Sequence, residues 1–131
     1  MFHQGVKVIL FDKLGRVLML YRDPNAYEGN SWTFSGGGMK KGEHPDDAIK
    51  REMIEEIGIC PDVVLAKVVT TPGRPEWEQR HLPCFVYVGC KEVSESDIQL
   101  GNEEQQFGFF PLDHLPAMAD CARRVAQGIL L

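Results

Sequence analysis

The 131-residue sequence predicts one α/β domain, in which helices cover both faces of a mixed β-sheet. Two observations support this fold class. Apolar runs typical of strands are spread along the chain, and a strongly bounded helix interrupts them midway, with a second helix expected near the end. The length suits a single hydrophobic core, and no repeat or linker divides the chain, so we expect one domain over residues 1–131.

The N-terminal part predicts a β-hairpin followed by a short strand. Residues 6–11 and 17–21 are apolar and favour strands, and the segment 12–15 between them predicts a turn, which places the hairpin near the centre of the sheet. After a polar loop, residues 32–34 predict a further strand. This strand is expected to end in three glycines, which give the backbone unusual freedom.

A helix is predicted over residues 44–58. Pro45 suits a first turn, the acidic residues after it complement the helix dipole, and Gly58 is a natural end. At 100° per residue, four apolar side chains are expected to form the face that contacts the core. They are Ile49, Met53, Ile54 and Ile57.

The remainder predicts alternating strands and loops, followed by a final helix. The expected strands are 63–70, 82–89 and 107–110, the loops are 71–81 and 92–106, and the final helix is 117–129.

Composition excludes several classes of protein. A net charge of −5 disfavours broad nucleic-acid binding, which depends on clustered Lys and Arg. No apolar stretch approaches the roughly 18 residues that span a bilayer, and the first residues lack the features of a signal peptide. The four cysteines contain no C-x-x-C pair and fit neither a zinc site nor a disulfide framework. We therefore expect a reduced, cytoplasmic protein without membrane contact.

Three glutamates, Glu52, Glu55 and Glu56, are expected on the flank of the predicted helix, within a single turn. Their mutual repulsion destabilises an isolated helix, although Arg51 can pair with Glu55. Mg²⁺ would offset the repulsion more fully, since it takes oxygen ligands and is commonly held by carboxylates together with substrate phosphates. Glu43 lies just before the helix and is a further candidate. The alternative to a metal site is that these glutamates form a solvent-exposed acidic face of the helix.

The order of residues from 37 to 59 resembles the Nudix box, Gly-x5-Glu-x7-Arg-Glu-U-x-Glu-Glu-x-Gly-U, where U is a bulky apolar residue. A chance match has odds on the order of one in ten million or less. The preceding residues 32–37 are similar to the family's aromatic-x-Phe-Pro-Gly-Gly segment, with Ser35 in place of the usual proline. The matching box positions are Gly37, Glu43, Arg51, Glu52, Met53, Glu55, Glu56, Gly58 and Ile59.

The resemblance implies a Nudix fold, an α/β/α sandwich around a mixed β-sheet, and hydrolysis of a pyrophosphate bond with Mg²⁺ or Mn²⁺ as cofactor. The substrate is expected to be a nucleoside triphosphate or a nucleoside diphosphate linked to another moiety. The general base is either a box glutamate or a later loop glutamate, where Glu103 fits the spacing slightly better than Glu104. The alternative for these two loop residues is a solvated acidic loop. By the family's pattern the metal ligands are Gly37, Glu43, Glu52, Glu55 and Glu56, and the catalytic residues are Arg51, Glu55, Glu56 and Glu103.

Three residues outside the box are candidates for contacting substrate. Arg22 lies near the place where many Nudix enzymes carry a substrate-contacting arginine, and a guanidinium suits phosphate oxygens; the alternative is a surface strand-end arginine. Trp32 can stack on a base or belong to the core. Arg74 lies in the 71–81 loop, which reads equally as a specificity loop or as exposed surface.

The expected partner is a small nucleotide or nucleoside diphosphate derivative, because a chain of this size resembles the compact MutT-like members. A monomer or a homodimer is compatible with the sequence, and the negative charge disfavours an RNA substrate. Two alternatives remain. A nucleotide-sensing binding module usually loses box glutamates that this chain keeps, and a diphosphate-ester isomerase needs a cysteine in a place where this chain has none.

Overall fold

The computed structural model describes residues 4–22, 31–72, 81–102, 104–118 and 120–130. These residues contain seven strands and two α-helices, with a short 3₁₀ helix at Glu95–Asp97. In chain order the elements are β1 (Gly5–Ile9), β2 (Val17–Arg22), β3 (Trp32–Thr33), β4 (Ser35–Gly38), α1 (Pro45–Ile57), β5 (Val63–Pro72), β6 (His81–Gly89), β7 (Glu104–Phe110) and α2 (Asp120–Ile129). No helix in the described ranges is both long and apolar enough to cross a membrane.

The strands form two sheets rather than one. A mixed sheet has the order β4-β1-β6-β5, with β1 parallel to β6, and an antiparallel sheet has the order β3-β2-β7. The predicted hairpin exists only around its turn, where Leu18 N donates to Leu10 O at 2.9 Å and Phe11 bridges Val17. The prediction of a full hairpin was wrong, because β1 pairs along its length with β6, and β2 with β7.

Two hydrophobic clusters lie on opposite faces of the layer that the strands form, one beneath each α-helix. Side chains alternate along β1 and β2, so that each strand contributes to both clusters. The cluster under α1 includes Val6, Val8, Leu18, Leu20, Ile49, Met53 and Ile57. The cluster under α2 includes Ile9, Val17, Met19, Phe34, Val86, Ala122 and Val125. This arrangement confirms the predicted α/β/α sandwich.

Helix α1 begins and ends where the sequence predicts. His44 caps the helix by accepting a hydrogen bond from Asp46 N at 3.1 Å, and Gly58 ends it with a φ of 73°. The prediction that Ile54 faces the core was wrong, since its side chain is 59% exposed. At 100° per residue Ile54 lies about 140° from the buried Ile49, beyond the apolar stripe.

The glycine run forms a strand instead of a flexible turn. Residues of β4 pair antiparallel with β1, so that Val6 lies opposite Gly37 and Lys7 opposite Gly36. At Gly36, φ is 144° and a Cβ atom would lie 2.0 Å from Val6 O. Only glycine fits such a close approach of two backbones.

The later elements follow the predictions with shifted ends. Strand β7 starts three residues earlier than expected, inside the predicted acidic loop, and β5 extends two residues further. Of the 71–81 loop, residues 73–80 lie outside the described residues. Cys84 is buried, whereas Cys60 and Cys90 are exposed, and all three are free thiols.

Candidate active site

The box residues lie where β4 packs against α1. The helix presents Glu52 to the backbone of Gly37, and a Cβ atom at Gly37 would lie 2.8 Å from Oε1 and 3.0 Å from the carboxyl carbon of Glu52. The space that a side chain would fill at Gly37 therefore holds a carboxylate.

Arg51 organises an outer acidic group, consisting of Glu43, Glu52 and Glu55. Its guanidinium donates to both oxygens of Glu43, each at 3.0 Å, and to Oε1 of Glu52 at 3.0 Å. Glu55 Oε2 lies 3.5 Å from Nη1, and the Gly38 carbonyl accepts from Nη2 at 3.1 Å. The hydrogen bonds from Arg51 lower the pKa of Glu43 to about 2. One arginine thus contacts three carboxylates and forms hydrogen bonds with two of them.

Glu56 belongs to a separate, inner group and is only 6% exposed. Its Oε1 accepts hydrogen bonds from Ser35 Oγ and Gly36 N, both at 2.7 Å, and its Oε2 forms an ion pair with Arg22. Burial raises the pKa of Glu56 to about 7, although the charges of Arg22 and Lys7 oppose that rise. The Glu56 carboxylate is therefore buried, and both of its oxygens have partners within the protein.

Arg22 lies at the centre of the inner group. It is 5% exposed, and its Nη2 donates to Gly36 O at 2.8 Å. On the neighbouring strand, Glu104 places Oε2 3.7 Å from Arg22 Nε. The chain before β7 docks on the end of α1, where Gly101 N donates to Glu56 O at 3.0 Å. This docking brings the start of β7 to the site.

Sequence reasoning missed two residues of the inner group. Lys7 is 4% exposed and donates from Nζ to Thr33 Oγ1 at 3.0 Å and to Phe34 O at 3.1 Å. The available signal was a single charge in an otherwise apolar strand. The sequence marks Ser35 only as a departure from proline, and its contact with Glu56 depends on how β4 passes α1.

The substrate-contact candidates differ in where they lie. Trp32 is half-buried, with its ring edge-to-face against Phe110 at 4.9 Å and Tyr21 at 5.4 Å. Its ring therefore contacts two half-buried aromatic side chains of β2 and β7. Arg74 and the candidate base Glu103 lie outside the described residues.

The three helix glutamates that were expected to lie together belong to two separate groups. Glu56 points inward to Arg22, whereas Glu52 and Glu55 contact Arg51. Among the described residues, no three His, Cys, Asp or Glu side chains are arranged to hold one metal ion. The donor chemistry nevertheless fits Mg²⁺. The carboxylate of Glu52 lies against the backbone of Gly37, so oxygen donors of both kinds are close together. Mg²⁺ often binds only one or two carboxylates and completes its coordination shell with water and phosphates.

Comparison with known proteins decides the family. A model of the NUDIX domain matches residues 1–128. The chain belongs to the NUDIX domain family. The NUDIX domain of Shewanella oneidensis NrtR complexed with ADP ribose superposes with a TM-score of 0.76 at 15% identity, covering 97% of this chain and 85% of that one. This likeness extends the NUDIX fold over nearly the whole chain.

Two curated relatives align with this chain over part of their own length. An ADP-ribose pyrophosphatase of Methanocaldococcus jannaschii is 28% identical over 111 residues, which cover 84% of this chain and 63% of the relative. An RNA pyrophosphohydrolase of Shewanella sediminis is 35% identical over 82 residues, which cover 63% of this chain and 43% of the relative. The chain therefore spans less than two thirds of either relative.

Proposed function

We propose that this chain is a divalent-metal-dependent pyrophosphohydrolase. Its substrate is a nucleoside triphosphate or a nucleoside diphosphate linked to another moiety. Water attacks a phosphorus atom, and the bridging P–O bond breaks. The observation that carries this proposal is the Glu52 carboxylate against the Gly37 backbone, with Arg51 holding the neighbouring acids.

The proposed metal ligands are the box acids Glu52, Glu55 and Glu56 and the carbonyl of Gly37, with Glu43 acting through water. When bound, Mg²⁺ or Mn²⁺ supplies positive charge to the phosphate oxygens and lowers the pKa of a water molecule. A cation on Glu56 has to share Oε2 with the guanidinium beside it, because Oε1 already accepts two hydrogen bonds.

Arg51 acts by orienting the glutamates, a role supported by its contacts with three of them. Of Glu103 and Glu104 we propose Glu103 as the general base. Glu104 is 8% exposed and lies beside Arg22, which suits a residue that supports the arginine better than one that meets a water molecule. Glu103→Gln should then lower kcat without changing stability, whereas Glu104→Gln should lower both.

A small nucleotide derivative is the proposed substrate class, and Arg22, Trp32 and Arg74 are its proposed contacts. ADP-ribose is the first compound to test, because a relative that aligns with 84% of this chain is an ADP-ribose pyrophosphatase. RNA with a 5′-triphosphate is the second, because the other relative is an RNA pyrophosphohydrolase, although a net charge of −5 disfavours a polyanion.

We further propose that the chain acts as one domain, as a monomer or homodimer, in the reducing cytoplasm. The exposed free thiols of Cys60 and Cys90 support a reducing compartment.

The test is a phosphate-release screen with Mg²⁺ over nucleoside triphosphates, ADP-ribose, NADH, sugar nucleotides and 5′-triphosphorylated RNA. We expect turnover that a chelator abolishes and that Glu56→Gln lowers at least about a hundredfold, since it displaces a catalytic group. Asp47→Asn, an exposed acid on the same helix, is the matched control and should keep turnover within about twofold.

Other outcomes would redirect the proposal. Full turnover in a folded Glu56→Gln protein would contradict the assigned site. Tight nucleotide binding without turnover would favour a binding module. A rearranged product that keeps its diphosphate would favour an isomerase.

A further inference from the structure

Ser35 stands where the family resemblance leads us to expect proline, and the structure gives its side chain a specific contact. The residue is 1% exposed, and its Oγ donates to Oε1 of Glu56 at 2.7 Å. Proline carries no hydroxyl, so this hydrogen bond is a property of the residue found in this chain.

The contact completes a set of three donors around one carboxylate. Ser35 Oγ and Gly36 N both reach Oε1 at 2.7 Å, while Arg22 contacts Oε2. A carboxylate oxygen has two lone pairs, so both acceptor directions of Oε1 are in use. Rotation of the carboxylate would break two short hydrogen bonds on one side and a buried ion pair on the other.

We propose that Ser35 is a positioning residue that fixes the carboxylate of Glu56 so that Oε2, which keeps a second lone pair beside its contact with Arg22, is the oxygen that a divalent cation shares. This inference rests on the proposed function, in which Glu56 is a metal ligand. Ser35 touches neither metal nor substrate and acts through Glu56 alone. The polypeptide thereby sets the orientation of the carboxylate before a cation arrives.

Removal of the hydroxyl has a definite expected consequence. In Ser35→Ala, Gly36 N still donates to Oε1, but one acceptor direction is released and the carboxylate can turn. Loss of a hydrogen-bond partner of a metal ligand lowers metal affinity by about 10- to 100-fold. Because one of the two donors on Oε1 remains, we expect about a tenfold loss, at the lower end of that range.

The experiment measures Mn²⁺ binding directly by electron paramagnetic resonance and calorimetry, using wild type, Ser35→Ala, Ser35→Thr and Glu56→Gln. Ser35→Ala should raise the Mn²⁺ Kd and the Mg²⁺ concentration for half-maximal turnover about tenfold. Its kcat at saturating Mg²⁺ should stay within about threefold of wild type, since saturation restores the occupied site. Ser35→Thr keeps the hydroxyl and should return the Kd to within about threefold of wild type.

The possible results separate the two proposals. If Glu56→Gln loses Mn²⁺ binding while Ser35→Ala binds as wild type does, Ser35 has no positioning role and the proposed function stands. If Ser35→Thr loses as much affinity as Ser35→Ala, the hydroxyl is not the operative group and the inference fails. If wild type and Glu56→Gln bind Mn²⁺ equally, or neither binds it, the metal role of Glu56 fails and this inference fails with it. Thermal midpoints of all four proteins show whether the variants are folded.

Discussion

Substitution of Gly37 by alanine tests whether Glu52 on α1 needs the space that the glycine leaves open in β4. A methyl group at this position would lie 2.8 Å from Glu52 Oε1, whereas ordinary contacts begin near 3.4 Å. The carboxylate therefore has to move by about 0.6 Å, the difference between these distances. Gly37 does not have a positive φ, so alanine at this position does not require a left-handed backbone.

The expected result is a folded protein with weakened catalysis. The obstructing atoms belong to the far end of a flexible side chain, so we expect the free energy of unfolding to fall by less than about 1 kcal/mol. A displacement approaching 1 Å at a catalytic group can cost about a hundredfold, and we therefore expect kcat/KM to fall by about 10- to 100-fold. Mg²⁺-dependent phosphate release and urea denaturation of the same sample measure the two quantities.

Gly36→Ala is the matched comparison, one residue away. There the methyl group would lie 2.0 Å from the carbonyl oxygen of Val6, and φ is 144°. Backbone atoms cannot yield as a side chain does, so this variant should lose stability by several kcal/mol, on the order of 3 or more. Wild-type activity in Gly37→Ala would refute the reasoning, because Glu52 would then not need the space at that glycine.

Three further predictions concern stability. The pKa of Glu43 lies near 2 in the folded protein, below its ordinary 4.5, so the ionised carboxylate stabilises the fold above about pH 4.5 and this contribution is lost as the pH falls toward 2. The thermal midpoint of Glu43→Gln should consequently depend less on pH between 5 and 2 than that of wild type, and equal slopes would contradict this. Tyr87→Phe removes a 2.5 Å hydrogen bond to Asp46 and should cost about 1–2 kcal/mol in urea denaturation; an unchanged midpoint would show that the bond contributes nothing. Met53→Ala truncates a fully buried side chain and should cost about 2–5 kcal/mol, so a loss below 1 kcal/mol would indicate that the core collapses around the cavity.

Features encoded by neighbouring residues could be predicted from the sequence. The ends of α1 follow from His44, Pro45 and Gly58, whose capping roles depend on contacts within a few residues. The spacing of the box acids likewise predicts their common helix. The layer order was likewise predicted from local patterns, because apolar strand runs that are interrupted by one helix midway and followed by another near the end indicate a sheet covered on both faces.

Features that depend on distant partners could not be predicted. The glycine run reads locally as a turn, and only the pairing of β4 with β1 makes it a strand. The direction of Glu56 depends on Arg22, which is 34 positions away in the chain. The burial of Lys7 similarly depends on Thr33, across 26 positions. Residue type predicted a charged site, but not which charges would lie inside it.

The two arginines of the site have a consequence for the relation between folding and metal binding. Arg51 pairs with Glu43, Glu52 and Glu55, and Arg22 pairs with Glu56, so each carboxylate already has a positive partner within the polypeptide. Structural zinc domains are different, because their ligands repel or remain unsatisfied without the ion and the chain unfolds. Here a chelator should arrest turnover and leave the melting curve almost unchanged. A bound cation then shares these carboxylates with the arginines already in place, which favours a weakly held ion that arrives together with its phosphate substrate.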